Sequence, residues 1–134
     1  MNQEKGNWMP GGSDMEQRFA EYDEMNRYIK SQLSGRDVLE ALAEEAAELS
    51  QAALKMIRAC RLEGTNNVTP VTPKEATDNL LEEMADVELV MDVLNYYTVF
   101  GEPISDLKDQ KRERWVSRLK EWEEKRKGGK KTNE

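Results

Sequence analysis

At 134 residues the chain has about the length of one domain, on the usual scale of ~150 residues each. Hydrophobic residues make up 37% and charged residues 35%, a polar mixture with little apolar material for a core. No apolar run nears the ~20 residues that cross a bilayer, and Met1 to Lys5 leads into no signal peptide, so no membrane role is expected.

The chain has no histidine. That removes Ser-His-Asp and Cys-His catalysis, and it takes one of the two favoured ligands from any zinc site. Cys60 is the only cysteine, so an internal disulfide is excluded and a reducing cytoplasm is the expected setting. Without a companion thiol, Cys60 is expected to pack as a small apolar residue. Chemistry in this chain must come from carboxylates, lysines, arginines and hard metal ions. The net charge of -7 divides unevenly: residues 125–134 carry +4 and the remainder -11. An acidic body of this kind argues against a nucleic-acid-binding face.

Glycines and prolines mark the boundaries of the elements. Residues 1–12 read as a flexible arm, and Ser13 with Glu16 as a capping box for a first helix over 14–33. Ser34-Gly35 breaks the pattern, and a second helix is predicted from Arg36 to about Glu63. The irregular GTNNVTPVTPKEA stretch follows. It ends on Thr72 as N-cap, Pro73 at the first helical position and Glu75 three residues after the cap. The third helix then runs to about Phe100 and stops at Gly101. Glu102-Pro103 reads as a turn, and a fourth helix covers roughly Ser105 to Lys127. A basic tail, 128–134, is expected to be disordered. No segment alternates as a strand does, so the expected fold is an all-α four-helix bundle forming one domain over 13–127.

Four acids sit against faces that should pack. On the second helix the apolar stripe is read as Val38, Leu42, Ala46, Leu49, Ala53 and Met56 or Ile57, with Glu45 and Glu48 at its margin. On the third helix, Glu83 lies between Leu80 and Val87, and Asp86 precedes Val90 and Val93 at helical spacings. If the two helices pack side by side, the four carboxylates converge. The repulsion among four such ionised groups rivals the net stability of a whole domain, so the cluster calls for cations. Oxygen-only ligands suit Mg²⁺, Mn²⁺ or Ca²⁺, and Mg²⁺ commonly takes phosphate oxygens as further ligands. Glu-rich helices also show this spacing on solvated faces, and the spacing alone leaves both readings open.

The E-E-x-x-E of residues 44–48 followed by the E-E-x-x-D of residues 82–86 resembles the MazG-like branch of the all-α nucleoside triphosphate pyrophosphohydrolases. The closest phrase is NLLEEMADVELVMDVL at 79–94, and the resemblance covers roughly residues 35–120. It implies a hydrolase that cuts a nucleoside or deoxynucleoside triphosphate to the monophosphate and pyrophosphate. It further implies Mg²⁺ (or Mn²⁺) held by Glu45, Glu48, Glu83 and Asp86, in a homodimer or homotetramer. One departure is the 34 residues between Glu48 and Glu83, longer than usual in the family because the 64–72 loop is extended.

Within that reading, Glu45 or Glu48 orients or deprotonates the attacking water. Lys111 and Arg114, three apart on the fourth helix, are the best matches to the family's phosphate-binding cations, and Lys55 on the second helix is a weaker candidate. Asn95 is a candidate base or sugar contact. Among the aromatics, Trp8, Phe19, Tyr22, Tyr28, Tyr96 and Tyr97 offer stacking surfaces. The alternative is a catalytically silent helical oligomerisation or adaptor module that keeps the acidic faces as interaction surface. A carboxylate-bridged di-iron bundle is set aside, because that class brings a Glu-x-x-His motif.

Overall fold

A computed structural model describes residues 12–62, 64–95 and 101–129, and within them the chain forms four helices and no strand. They are α1 (Gly12–Gln32), α2 (Gly35–Ala59), α3 (Pro73–Asn95) and α4 (Gly101–Gly128). The all-α class expected from the sequence is the class observed. Residues 1–11 with Trp8, the 96–100 stretch with Tyr96 and Tyr97, and residues 130–134 lie outside the described residues. Among the described residues no helix is long and apolar enough to cross a membrane.

The two central helices start on the same device. Ser34 is extended, at φ -79° and ψ 163°, and its hydroxyl accepts from the Asp37 N–H at 3.1 Å. In return, the Ser34 N–H donates to the Asp37 carboxylate at 2.7 Å. At α3, the Thr72 N–H and hydroxyl each donate to Glu75 at 2.9 Å, and the Glu75 N–H donates to Thr72 Oγ1 at 3.2 Å. Each reciprocal pair satisfies amides that a helix start would otherwise leave open. Both carboxylates are held below their usual range, Asp37 chiefly by the Ser34 side chain and Glu75 chiefly by the Thr72 backbone amide.

Three boundaries differ from the sequence reading. α2 ends at Ala59 rather than near Glu63, because Arg61 turns left-handed at φ 50°. There the Leu62 N–H reaches Ile57 O at 3.1 Å and the Arg61 N–H reaches Arg58 O at 3.2 Å, the paired bonds of a Schellman stop. That position usually holds glycine, and arginine there hides the stop from a sequence reading. α1 starts at Gly12, ahead of the expected Ser13 cap. α4 starts at Gly101, with Pro103 inside its first turn, where a missing N–H breaks no helical bond.

The chain divides into two compact units, residues 1–98 and 99–134. In the first, α2 packs mainly on α3, and α1 packs on α3. Val38 and Ala52 from α2 and Ala76 and Val93 from α3 are the buried side chains. The seam on α2 also takes in half-buried Ala41, Leu42, Glu45, Leu49, Met56 and Ala59. Ala46 and Ala53, read above as part of the stripe, are exposed. The stripe is rotated toward Ala52, and Glu45 therefore lies inside the packed seam instead of at its margin. In the second unit, α4 is a long helix whose described side chains are exposed except Ile104. It is held by local pairs, Asp109 with Arg112 and Glu123 with Lys127, and Arg126 lies 4.9 Å over the Trp122 ring.

Candidate metal centre

Antiparallel packing of α2 on α3 brings the two acidic motifs together. Carboxylate oxygens of Glu45, Glu83 and Asp86 all lie within 4.8 Å of one another. Glu45 and Glu83 are half-buried in the seam, and Asp86 and Glu48 are exposed along its edge. Glu48 acts on both Glu45 and Glu83 through its charge, but the predicted ligands that converge are three, Glu45, Glu83 and Asp86.

Crowding and burial change the acidity of the two inner groups. Glu45 is raised above the usual glutamate range, first by burial and then by the charges of Asp86, Glu48 and Glu44. Glu83 is raised too, first by burial, then by the Glu48 charge and by a hydrogen bond from protonated Glu83 to Glu48. Asp86 and Glu45 add to the same effect. Glu83 Oε2 is buried, and no donor reaches it. An acceptor shut away from water without a partner is costly, and a cation satisfies it directly.

The donor set fits a hard divalent ion. Opposite ligands of one Mg²⁺ stand ~4.2 Å apart, and those of Ca²⁺ stand ~4.6–5.2 Å apart. Oxygens all within 4.8 Å of one another are close enough together to serve as ligands of one hard divalent ion.

These shifts fix a pH dependence for the metal-free protein. Between the ordinary glutamate range and the raised values of Glu45 and Glu83, the folded chain binds more protons than the unfolded one. Stability in EDTA therefore rises as pH falls from neutral through that window. Below it the trend reverses, as Asp37 and Glu75 lose their hydrogen-bonded charge. Saturating Mg²⁺ should remove the acid-side gain, because ligand carboxylates must be ionised. Thermal melts in EDTA at pH 7, 6 and 5 measure this directly. A Tm that drops steadily over that range contradicts the picture.

The remaining candidates fall in different places. Lys55 lines a recess of about 430 Å³ at the other end of the α2–α3 seam, with Pro70, Val71, Glu75, Ala76 and Asn79. Asn95 lines a wider groove of about 940 Å³ between α1 and α3, where Phe19, Tyr22 and Asp92 are also found but none of the four acids. Lys111 and Arg114 are exposed on α4, in the second unit. Asn79, which lines the same recess as Lys55, stands one helical turn before Glu83 on the same face.

With this geometry in view, comparison with known proteins returns a blank: no family model, curated protein or solved structure matches the chain.

Proposed function

We propose that the chain is a Mg²⁺-dependent pyrophosphohydrolase of nucleoside or deoxynucleoside triphosphates, of the MazG-like type its acidic motifs resemble. The observation that carries this reading is the convergence of Glu45, Glu83 and Asp86, together with a buried Glu83 Oε2 that no donor reaches. A bound divalent ion would neutralise triphosphate charge and acidify an attacking water. Glu45, Glu83 and Asp86 would hold it.

The chain's own part is then to position the reactants and take a proton. Glu48 lies at the exposed edge of the cluster, open to solvent. In this reading it accepts the proton of the water that attacks the α-phosphorus. The α–β bridging P–O bond breaks, and pyrophosphate leaves with the bonding pair. Glu45, fixed in the seam, cannot follow a moving water as Glu48 can, and it serves as ligand and orienting group.

The test is a panel of the eight common NTPs and dNTPs with Mg²⁺, scoring pyrophosphate release against an EDTA control. Metal-dependent release from one or more of them establishes the reaction and its substrate. Silence across the panel by folded protein would favour the adaptor reading.

We also propose that the protein is at least a homodimer. Leu39, Leu54, Leu81, Met84, Leu89 and Met91 on α2 and α3 are all exposed, and so are Trp115, Leu119 and Trp122 on α4. Large apolar side chains exposed in these numbers support the association reading. Gel filtration should give at least twice the chain mass of 15.5 kDa. Elution at the single-chain mass refutes the dimer.

A further inference from the structure

The layer formed by α2 and α3 has two faces of opposite character. Each residue turns an α-helix by ~100°, so the side chains of α2 sort by azimuth about its axis. Glu44 and Glu48 lie on one flank of the seam, on the side where Glu45, Glu83 and Asp86 converge. Leu39, Ala46, Ser50 and Ile57 lie on the other flank and are all exposed. Met84 and Met91 on α3 are exposed on that same side of the layer. The arc of α2 that carries the four positions holds no charged residue, in a chain that is 35% charged. Leu39 and Ile57 are five full turns apart, which makes the face ~27 Å long and, two helices across, ~20 Å wide. That is of the order of the ~800 Å² each partner gives to a standard interface. Along α2 the face reads large, small, small, large, and it reads the same from either end. A two-fold contact needs such a patch, because both copies present the same surface. Antiparallel pairing sets Leu39 of one copy beside Ile57 of the other, and Ala46 and Ser50 let the backbones come close. At the rim, Glu40 (bridged to Arg36) and Arg58 share a second azimuth at opposite ends of α2. The same pairing brings Glu40 of one copy toward Arg58 of the other.

We propose that this uncharged face docks a second copy of the chain, α2 antiparallel on α2, and leaves both acid clusters facing outward. The proposal rests on the association reading above and goes beyond it, because it names the surface and its orientation. It also makes the metal centre complete within one chain. Glu45, Glu83 and Asp86 lie across the layer from the contact, so neither copy lends the other a ligand.

One substitution at two adjacent positions tests the surface. Ala46→Arg sets a charge in the middle of the face, close to its own symmetry mate. Ala47→Arg sets the same charge about 100° round the helix, away from the contact. Both alanines are exposed and arginine is a good helix former, so both variants should fold, which circular dichroism checks. Sedimentation equilibrium should give a wild-type dimer whose Kd rises at least about 100-fold in Ala46→Arg. In Ala47→Arg it should change by less than about threefold. The rise in Tm on adding Mg²⁺ should be the same in wild type and in monomeric Ala46→Arg. A single-chain mass for wild type overturns the dimer and the interface together. A dimer indifferent to Ala46→Arg overturns the interface and leaves the dimer. Folded, monomeric Ala46→Arg that loses the Mg²⁺ shift seen in wild type overturns the one-chain centre. A wild type with no Mg²⁺ shift overturns the centre itself, while the interface stands or falls by the masses.

Discussion

Glu83→Gln should abolish Mg²⁺-dependent triphosphate hydrolysis and at the same time make the metal-free protein more resistant to heat. The two effects share one cause. Glu83 is half-buried, its pKa is raised by burial and by three neighbouring acids, and its Oε2 has no donor. Glutamine keeps the volume, removes the charge and brings an amide N–H₂ that can donate to Glu48. The metal-free fold is relieved, but the innermost ligand is lost. Substituting groups that only orient metal ligands costs ~10–100-fold, so losing a ligand should cost more than ~100-fold in kcat/KM. Stabilisation by Mg²⁺ plus nucleotide, about 2.7 kcal/mol at a hundred times Kd for a protein that binds, should vanish with it. Glu48→Gln and Asp86→Asn should likewise abolish turnover with helix content intact. Parallel melts and pyrophosphate assays of the three variants provide the check. Retained turnover in Glu83→Gln, or in both of the others, removes the site.

The second large effect concerns packing. Ala52 is only 1% exposed, and the neighbouring Ala53 is exposed. The same substitution at the two positions should therefore give opposite results. Ala52→Leu forces three extra carbons into the α2–α3 seam and should cost about 1–3 kcal/mol. Ala53→Leu should stay within about 0.5 kcal/mol. Ala52 lies between Glu48 and Lys55 in the chain, so helices pushed apart there also separate the carboxylates. Ala52→Leu should thus weaken Mg²⁺ binding even where the protein is still folded. Urea unfolding of both variants measures the contrast, and equal costs would mean the seam does not run through Ala52.

Much of this is legible in the amino-acid sequence. Thr72-Pro73 and Glu75 located the start of α3 to the residue, because cap, ring and reciprocal carboxylate act within one turn. Glu83 was legible as an acid on an apolar face, since Leu80 and Val87 flank it at helical spacing. The azimuth of α2 was harder. Ala46, Ala52 and Ala53 are identical in kind, and only the partner helix selects which of them is buried. That choice moved Glu45 from the margin into the seam. The end of α2 was hidden for a different reason: a left-handed arginine carries no mark in the sequence that a left-handed glycine would.

The two capping boxes have a consequence for how the cluster is measured out. Glu45 stands eleven residues after Ser34, and Glu83 stands eleven after Thr72. Eleven residues are close to three full turns, so each acid returns to nearly the azimuth of its own cap. Glu48 and Asp86 follow at the same further step of three. Each helix is in effect a ruler read from its own zero mark, and the two rulers lie head to tail. The loop between Cys60 and Thr72 enters neither measurement. Residues added there leave both readings unchanged, whereas a single residue inserted between cap and acid swings one carboxylate about 100° away from the others.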